Sequence, residues 1–194
     1  MLVCVMLRRA SELWRACWIV MSSHGAPKMQ SAPFPPNESG RIAALHALNI
    51  LDTPPEERFD RLTRIAKRMF DVPIALISMI DTSRQWFKSR GELSVCETSR
   101  DISFCAHAIL NDDILYVENA LKDERFFDNP LVVGEPKIRF YAGCPLRMND
   151  FKMGTLCLID NQPREFTQED RQLLRDLAGM AEQELAIAYP ANSD

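Results

Sequence analysis

The stretch RDISFCAHAIL, residues 100–110, places a thiol, Cys105, and an imidazole, His107, on either side of one alanine in an apolar turn. A thiolate beside an imidazole pairs a cysteine nucleophile with its general base, and both side chains are metal ligands. The spacing argues against each use within this segment. Helix positions i and i+2 lie on different faces, so Cys105 and His107 cannot meet locally. One cysteine and one histidine also fall short of the three or four ligands that hold zinc, and no metal is expected. Two readings stay open: Cys105 as a small core residue with His107 hydrogen-bonded on its helix, or both lining a ligand cavity. Arg100 and Asp101 form a candidate ion pair beside them.

The elements that must position these residues follow from periodicity and turn chemistry. A short helix from Asn37 carries Ile42, Leu45, Leu48 and Leu51 on one side and ends at Pro54. A second follows at once, with Thr53 as cap, Pro54 in the first turn and Glu56 three residues after the cap, and a buried stripe of Phe59, Leu62, Ile65, Ala66, Met69 and Phe70. PIALISMID, residues 73–81, is short, β-branched and not strictly alternating, which predicts a central strand covered on both faces. RQWFKSRG returns antiparallel, with Arg84, Lys88 and Arg90 on the Trp86 side and that face partly solvated. A short helix over 104–110 and a short strand over 114–117 come next, then a long irregular segment over 122–137, the sort of loop that is functional or mobile. Residues 138–148 and 153–160 form a second hairpin across Asn149 and Asp150, edged or bulged at Pro145. Thr167 and Asp170 cap the last helix, whose apolar face is Leu173, Leu174, Leu177, Met180, Ala181 and Leu185. Helices at both ends of an antiparallel sheet make an α+β fold.

Nearly half the residues, 46%, are hydrophobic, enough for one self-sufficient core. The formal charge of −4 is mixed in sign along the chain, with no basic stripe for nucleic acid. A small molecule or a protein is the expected partner. Six cysteines without C-x-x-C pairs, in a chain without a secretion signal, read as reduced thiols of a cytoplasmic protein. No Gly-rich phosphate loop is present.

Residues 1–36 stand apart as an N-terminal extension and linker before a single domain over 37–190. The apolar start is interrupted by Arg8, Arg9, Glu12 and Arg15, which argues against a spanning helix. Either Leu2, Met6, Leu13, Cys17 and Val20 line an amphipathic helix for a membrane surface or partner, or translation begins at Met21 or Met29. The start-site reading is preferred, and membrane association is not expected. Residues 22–36, rich in Ser and Pro, are expected to be disordered.

Three blocks, RDISFCAHAIL, IRFYAGCPL (138–146) and GTLCLID (154–160), resemble the GAF domain family, in the form found in bacterial sensor histidine kinases and diguanylate cyclases. The resemblance covers residues 57–186. It implies a GAF/PAS-like fold: a central antiparallel sheet of five or six strands, terminal helices on one face, loops and short helices on the other. It implies a ligand between sheet and loops, against Trp86, Phe104, Cys105, His107, Arg139, Tyr141 and Cys144. Arg100 and Asp101 would orient the entrance, and Arg125, Asp128 and Asn129 would close over it.

Other members suggest other chemistry. Free methionine-(R)-sulfoxide reductases use nearby cysteines, here Cys96 and Cys105, although the 122–137 loop lacks the further thiol that group would supply. Phytochrome-like members follow the bilin cysteine directly with His, where Ala106 intervenes. The cyclic-nucleotide signature N-K…F-x-x-x-D-E is matched only by Phe166 and Asp170, with Arg171 in the final place. The reading adopted is a non-catalytic sensory or regulatory domain that binds an unidentified small molecule and needs no resident cofactor. It would be a homodimer through its terminal helices and, with no output domain in this sequence, would act on a separate kinase or cyclase. A thiol-based sulfoxide reductase and a purely structural dimerisation module are the alternatives.

Overall fold

The computed structural model describes residues 29–91 and 93–188. Its centre is a six-stranded, wholly antiparallel sheet in the order β3-β2-β1-β6-β5-β4. The strands are β1 (Ile74–Ile80), β2 (Arg84–Ser89), β3 (Glu97–Ser99), β4 (Leu115–Val117), β5 (Phe140–Met148) and β6 (Phe151–Asp160). β1 is flanked by β2 and β6 and buried along nearly all its length, as an apolar run without alternation requires. β6 passes β1 so closely that a Cβ on Gly154 would lie 1.8 Å from the Ser78 carbonyl oxygen, so glycine is required there.

One face carries the long helices α1 (Glu38–Ala47), α2 (Glu57–Met69) and, at the C-terminal end, α5 (Gln168–Ala188). Leu45, Phe59, Leu62, Ala66, Leu174, Leu177, Ala181 and Leu185 pack there against Ile77, Met79, Ala142 and Leu156. The other face carries α3 (Phe104–Ala108), α4 (Pro130–Val133), two 3₁₀ turns and loops over Leu76, Ile80, Tyr141, Cys157 and Ile159. The α5 start is the expected capping box: Asp170 N–H donates to Thr167 Oγ1 at 3.1 Å, and Thr167 N–H donates to Asp170 Oδ2 at 2.9 Å. Among the described residues no helix is long and apolar enough to cross a membrane.

Several local expectations are corrected. α1 ends at Ala47, because Asn49 (φ 53°) and Asp52 (φ 62°) take left-handed backbone, although Leu48 and Ile50 are still buried beyond it. α2 starts at Glu57, after Glu56, and Thr53 does not cap it: its hydroxyl donates to the Ile50 carbonyl at 2.6 Å. The Trp86 side of β2 is partly solvated at Arg84 and Arg90, as expected, but closed at Lys88, where residues 53–59 fold beneath it. Lys88 is buried, its Nζ 2.5 Å from Glu56 Oε1 and 5.3 Å from the Phe59 ring centre. Strand alternation registers a lysine as solvated; the carboxylate of Glu56, in the turn before α2, neutralises it. Within 122–137, Asn129 caps α4 by accepting the Leu131 N–H at 2.9 Å. At Pro145 the expectation holds: it lies past the end of the β4 pairing, so β5 is an edge there. Met69 and Met180 are 55% and 45% exposed, outside the stripes that pattern assigned them to.

The candidate amphipathic helix and alternative starts at residues 1–28 lie outside the described residues, apart from Met29. The last part of the supposed linker does not hang free. Met29 N–H donates to Asp128 Oδ2 at 2.8 Å, Gln30 N–H donates to the Arg125 carbonyl, and Phe34 stacks on the Arg100 guanidinium 4.4 Å from the ring centre.

Candidate functional site

The residues grouped by the resemblance are divided between the two faces of the sheet. Phe104, Cys105 and Tyr141 lie on the loop face, whereas Trp86 and Cys144 belong to the helical core. Period-two alternation explains the split, since Tyr141 and Cys144 are an odd number of residues apart on one strand.

On the loop face, Ser103 caps α3 by accepting the Ala106 N–H at 3.0 Å, which turns Phe104 and Cys105 toward the sheet. Phe104 stacks on Phe126 with centroids 3.9 Å apart and lies 5.2 Å from the Tyr141 ring. The Tyr141 hydroxyl donates to Cys105 Sγ at 3.3 Å, and Cys157 Sγ lies 3.7 Å from the same sulfur. Ser78 and Thr155, directly paired across β1 and β6, have hydroxyls 3.1 Å apart beneath them. Gly143 faces Cys157 across β5 and β6, and a Cβ there would lie 2.1 Å from the Tyr141 hydroxyl. The polar atoms of this cluster therefore depend on a missing side chain.

Burial raises the Cys105 thiol, but hydrogen bonds from Cys157, Ser78, Thr155 and Tyr141 outweigh it and bring the group below its ordinary value. The contact with Cys105, together with burial, pushes Cys157 up. The two sulfurs thus share a hydrogen-bonded contact that shifts their titrations in opposite directions. Cys144, on the far face, is pushed up to about 12 by burial and by the Glu182 and Asp113 charges. Cys96, just before β3, is exposed.

His107 does not join Cys105. Its Nε2–H donates to the Gln30 carbonyl at 2.9 Å, and its ring meets the Phe126 edge with centroids 4.8 Å apart. Burial holds its titration below the ordinary imidazole range. Arg100 is buried, but its partner is not Asp101, which is exposed. Arg100 Nη1 donates to Glu38 Oε1 at 2.5 Å and to the Asp81 carbonyl at 2.9 Å, while Arg41 takes the same carboxylate with Nε and Nη2 at 2.7 and 2.8 Å. Asp128 holds the Met29 N–H, Asn129 donates to the Ile102 carbonyl, and Arg125 pairs with Asp123. Arg139 Nη1 donates to the carbonyls of Val132 and Ile138. These side chains fasten loops to one another.

A sizeable cleft lies elsewhere among the described residues. It has a volume of about 750 Å³ and opens between α2 and the end of the β1–β2 hairpin, where β2 stops pairing at Ser89 and the first residues of β1 are left beside it. Its walls include Trp86, Phe87, Ile74, Thr63, Arg64 and Arg90, so of the residues expected to bind ligand only Trp86 reaches it. Cys157, Ser78, Thr155 and Glu38 were missed by sequence reasoning. The alternation of Thr155, Cys157 and Ile159 within GTLCLID was the available signal for Cys157 and Thr155.

An antiparallel sheet with long terminal helices on one face and short helices with loops on the other defines an α+β sheet-and-helix domain. The sequence matches the GAF domain family over residues 54–185, and the chain belongs to that family. It is 44% identical over 137 residues to a cyclic di-GMP phosphodiesterase of Pseudomonas aeruginosa, a match that covers 70% of this chain and 23% of that protein. The chain thus spans about a quarter of the length of that relative. Among solved structures, the GAF domain of an Acinetobacter phosphoenolpyruvate-protein phosphotransferase is similar, with a TM-score of 0.55, 20% identity, and 77% of this chain and 94% of that one covered. The free methionine-R-sulfoxide reductase of Neisseria meningitidis has a TM-score of 0.56 at 13% identity, with 82% and 98% covered. At those identities the likeness is one of fold.

Proposed function

We propose that this chain is a non-catalytic GAF sensory module that binds a small molecule and regulates an output protein of cyclic di-GMP turnover. The cleft of about 750 Å³ beside Trp86 carries the binding part of this reading, since it is of the size that holds small ligands and combines aromatic, aliphatic and charged walls. The 44% identity to part of a cyclic di-GMP phosphodiesterase supports the choice of output. In this reading the module is cytoplasmic and α5 joins two copies, with Met180 and Ile187 exposed seven residues apart.

Native mass spectrometry of the freshly purified chain, compared with its denatured mass, tests the reading. The expected result is a noncovalent adduct whose occupancy falls at least tenfold in Arg90→Glu, a substitution at the cleft rim. A bare mass, with no thermal shift from nucleotides, amino acids or dicarboxylates, would overturn it. The reductase alternative loses its expected thiol pair, because the sulfur facing Cys105 is that of Cys157, not that of exposed Cys96.

A further inference from the structure

In the loop-face interior, polar side chains from β1, β5 and β6 converge on two sulfurs. Cys105 and Cys157 are 2% and 0% exposed. A buried hydroxyl is costly unless hydrogen-bonded, and alanine or valine would fill these positions without that demand. Ser78, Thr155 and Tyr141 nevertheless bring three hydroxyls to the cluster. Ser78 bonds to Thr155, Tyr141 bonds to Cys105, and Cys105 bonds to Cys157. Gly143, opposite Cys157, leaves the Tyr141 hydroxyl its room.

We propose that Cys105 and Cys157 form a dithiol that a two-electron oxidant of the peroxide class converts to an intramolecular disulfide. The sulfurs already touch at 3.7 Å, so a bond of about 2 Å needs a closure of roughly 1.7 Å. β6 is paired on both sides, with β1 and β5, and cannot shift by that amount without breaking a ladder. α3 has only five residues, so the movement falls on α3. The Tyr141 hydroxyl, donating to Cys105 Sγ, favours Cys105 as the attacking thiolate, and the elevated Cys157 thiol keeps its proton until the second step.

The Cys105 thiolate attacks one peroxide oxygen, the O–O bond breaks, and hydroxide leaves with the proton that Cys105 gave up, as water. The resulting sulfenic acid is attacked by the Cys157 sulfur, and the S–S bond forms as the S–O bond breaks. The departing hydroxide takes the Cys157 proton and leaves as a second water. Two thiols lose two electrons in all, and one peroxide gains them. Burial makes the reaction wait on transient opening of α3, so exposed Cys96 reacts first. Closure would draw on α3 and on His107, which holds the Gln30 carbonyl, and so on the segment that leads into α1. None of this depends on a ligand in the Trp86 cleft.

Trypsin separates the two thiols into peptides 101–122 and 153–164, each with one cysteine, and places Cys96 in peptide 91–100. The full chain is treated with hydrogen peroxide, unfolded, alkylated, digested and weighed. The expected product is a 101–122/153–164 pair lighter by two hydrogens than the sum of its parts, in more than half of the molecules and reversed by dithiothreitol. Cys157→Ala should abolish the link and leave Cys105 as a sulfenic acid that dimedone labels. Both peptides fully alkylated while Cys96 is oxidised, or Cys105 linked to Cys96 instead, would overturn the proposal; the wild-type result stands even if the variant fails to fold.

Discussion

Tyr141, Gly143 and Cys157 show how much one hydrogen atom in place of a side chain can decide. Gly143→Ala puts a methyl carbon 2.1 Å from the Tyr141 hydroxyl, in a wall with no slack. The ring must swing away from Cys105, and urea unfolding should show a loss of about 1–3 kcal/mol, typical of overpacking. A second residue-scale effect is electrostatic. Burial raises the Asp81 carboxyl, but hydrogen bonds from His46, the Thr82 N–H and Arg84 hold it down at about 2. A carboxyl depressed on folding stabilises the native state above its unfolded value near 4, and that contribution is lost as pH falls toward 2. After allowance for solvent screening the loss is about 1 kcal/mol. Urea titrations at pH 6 and pH 2.5 should therefore show wild type and Asp81→Asn converging at the lower pH; an unchanged gap would refute the assignment.

At the scale of elements, α1 is tied to the sheet by charge as much as by apolar contact. Glu38 lies between two buried guanidinium groups, Arg41 on its own helix and Arg100 before α3, and Arg41 Nη1 also donates to the Ile80 carbonyl at 2.7 Å. Removing the carboxylate leaves two buried cations facing each other. Glu38→Ala should cost about 3–5 kcal/mol in chemical unfolding, the range for breaking a buried pair. A loss below 1 kcal/mol would mean that water replaces the carboxylate freely. Because Arg100 also meets the β1–β2 turn, α1, that turn and α3 are expected to lose protection from hydrogen exchange together in this variant.

For the whole molecule, the prediction concerns the outer side of α5. Its inner face is closed by β5 and α2, while Met180 and Ile187 stay exposed. If α5 joins two copies, Met180→Glu should convert the dimer to a monomer in sedimentation equilibrium with an unchanged circular dichroism spectrum. Wild type that sediments as a monomer would end that part of the proposal.

Element types, chain order and the α+β class were legible in the linear pattern, because helix and strand periodicities and the Thr167–Asp170 capping box are local signals. RDISFCAHAIL and GTLCLID also marked the two blocks that meet at the thiols. Which residues meet was not legible. Cys105 and Cys157 are far apart in sequence and are joined only by the packing of α3 on β6, and the burial of Lys88 depends on a turn that folds beneath β2. Alternation sets Tyr141 and Cys144 on opposite faces of β5, but which face carries α3 and Cys105 is decided only by tertiary packing. Local propensity acts over a few residues, whereas the site is assembled by contacts whose loop-closure cost is repaid only when the whole sheet forms.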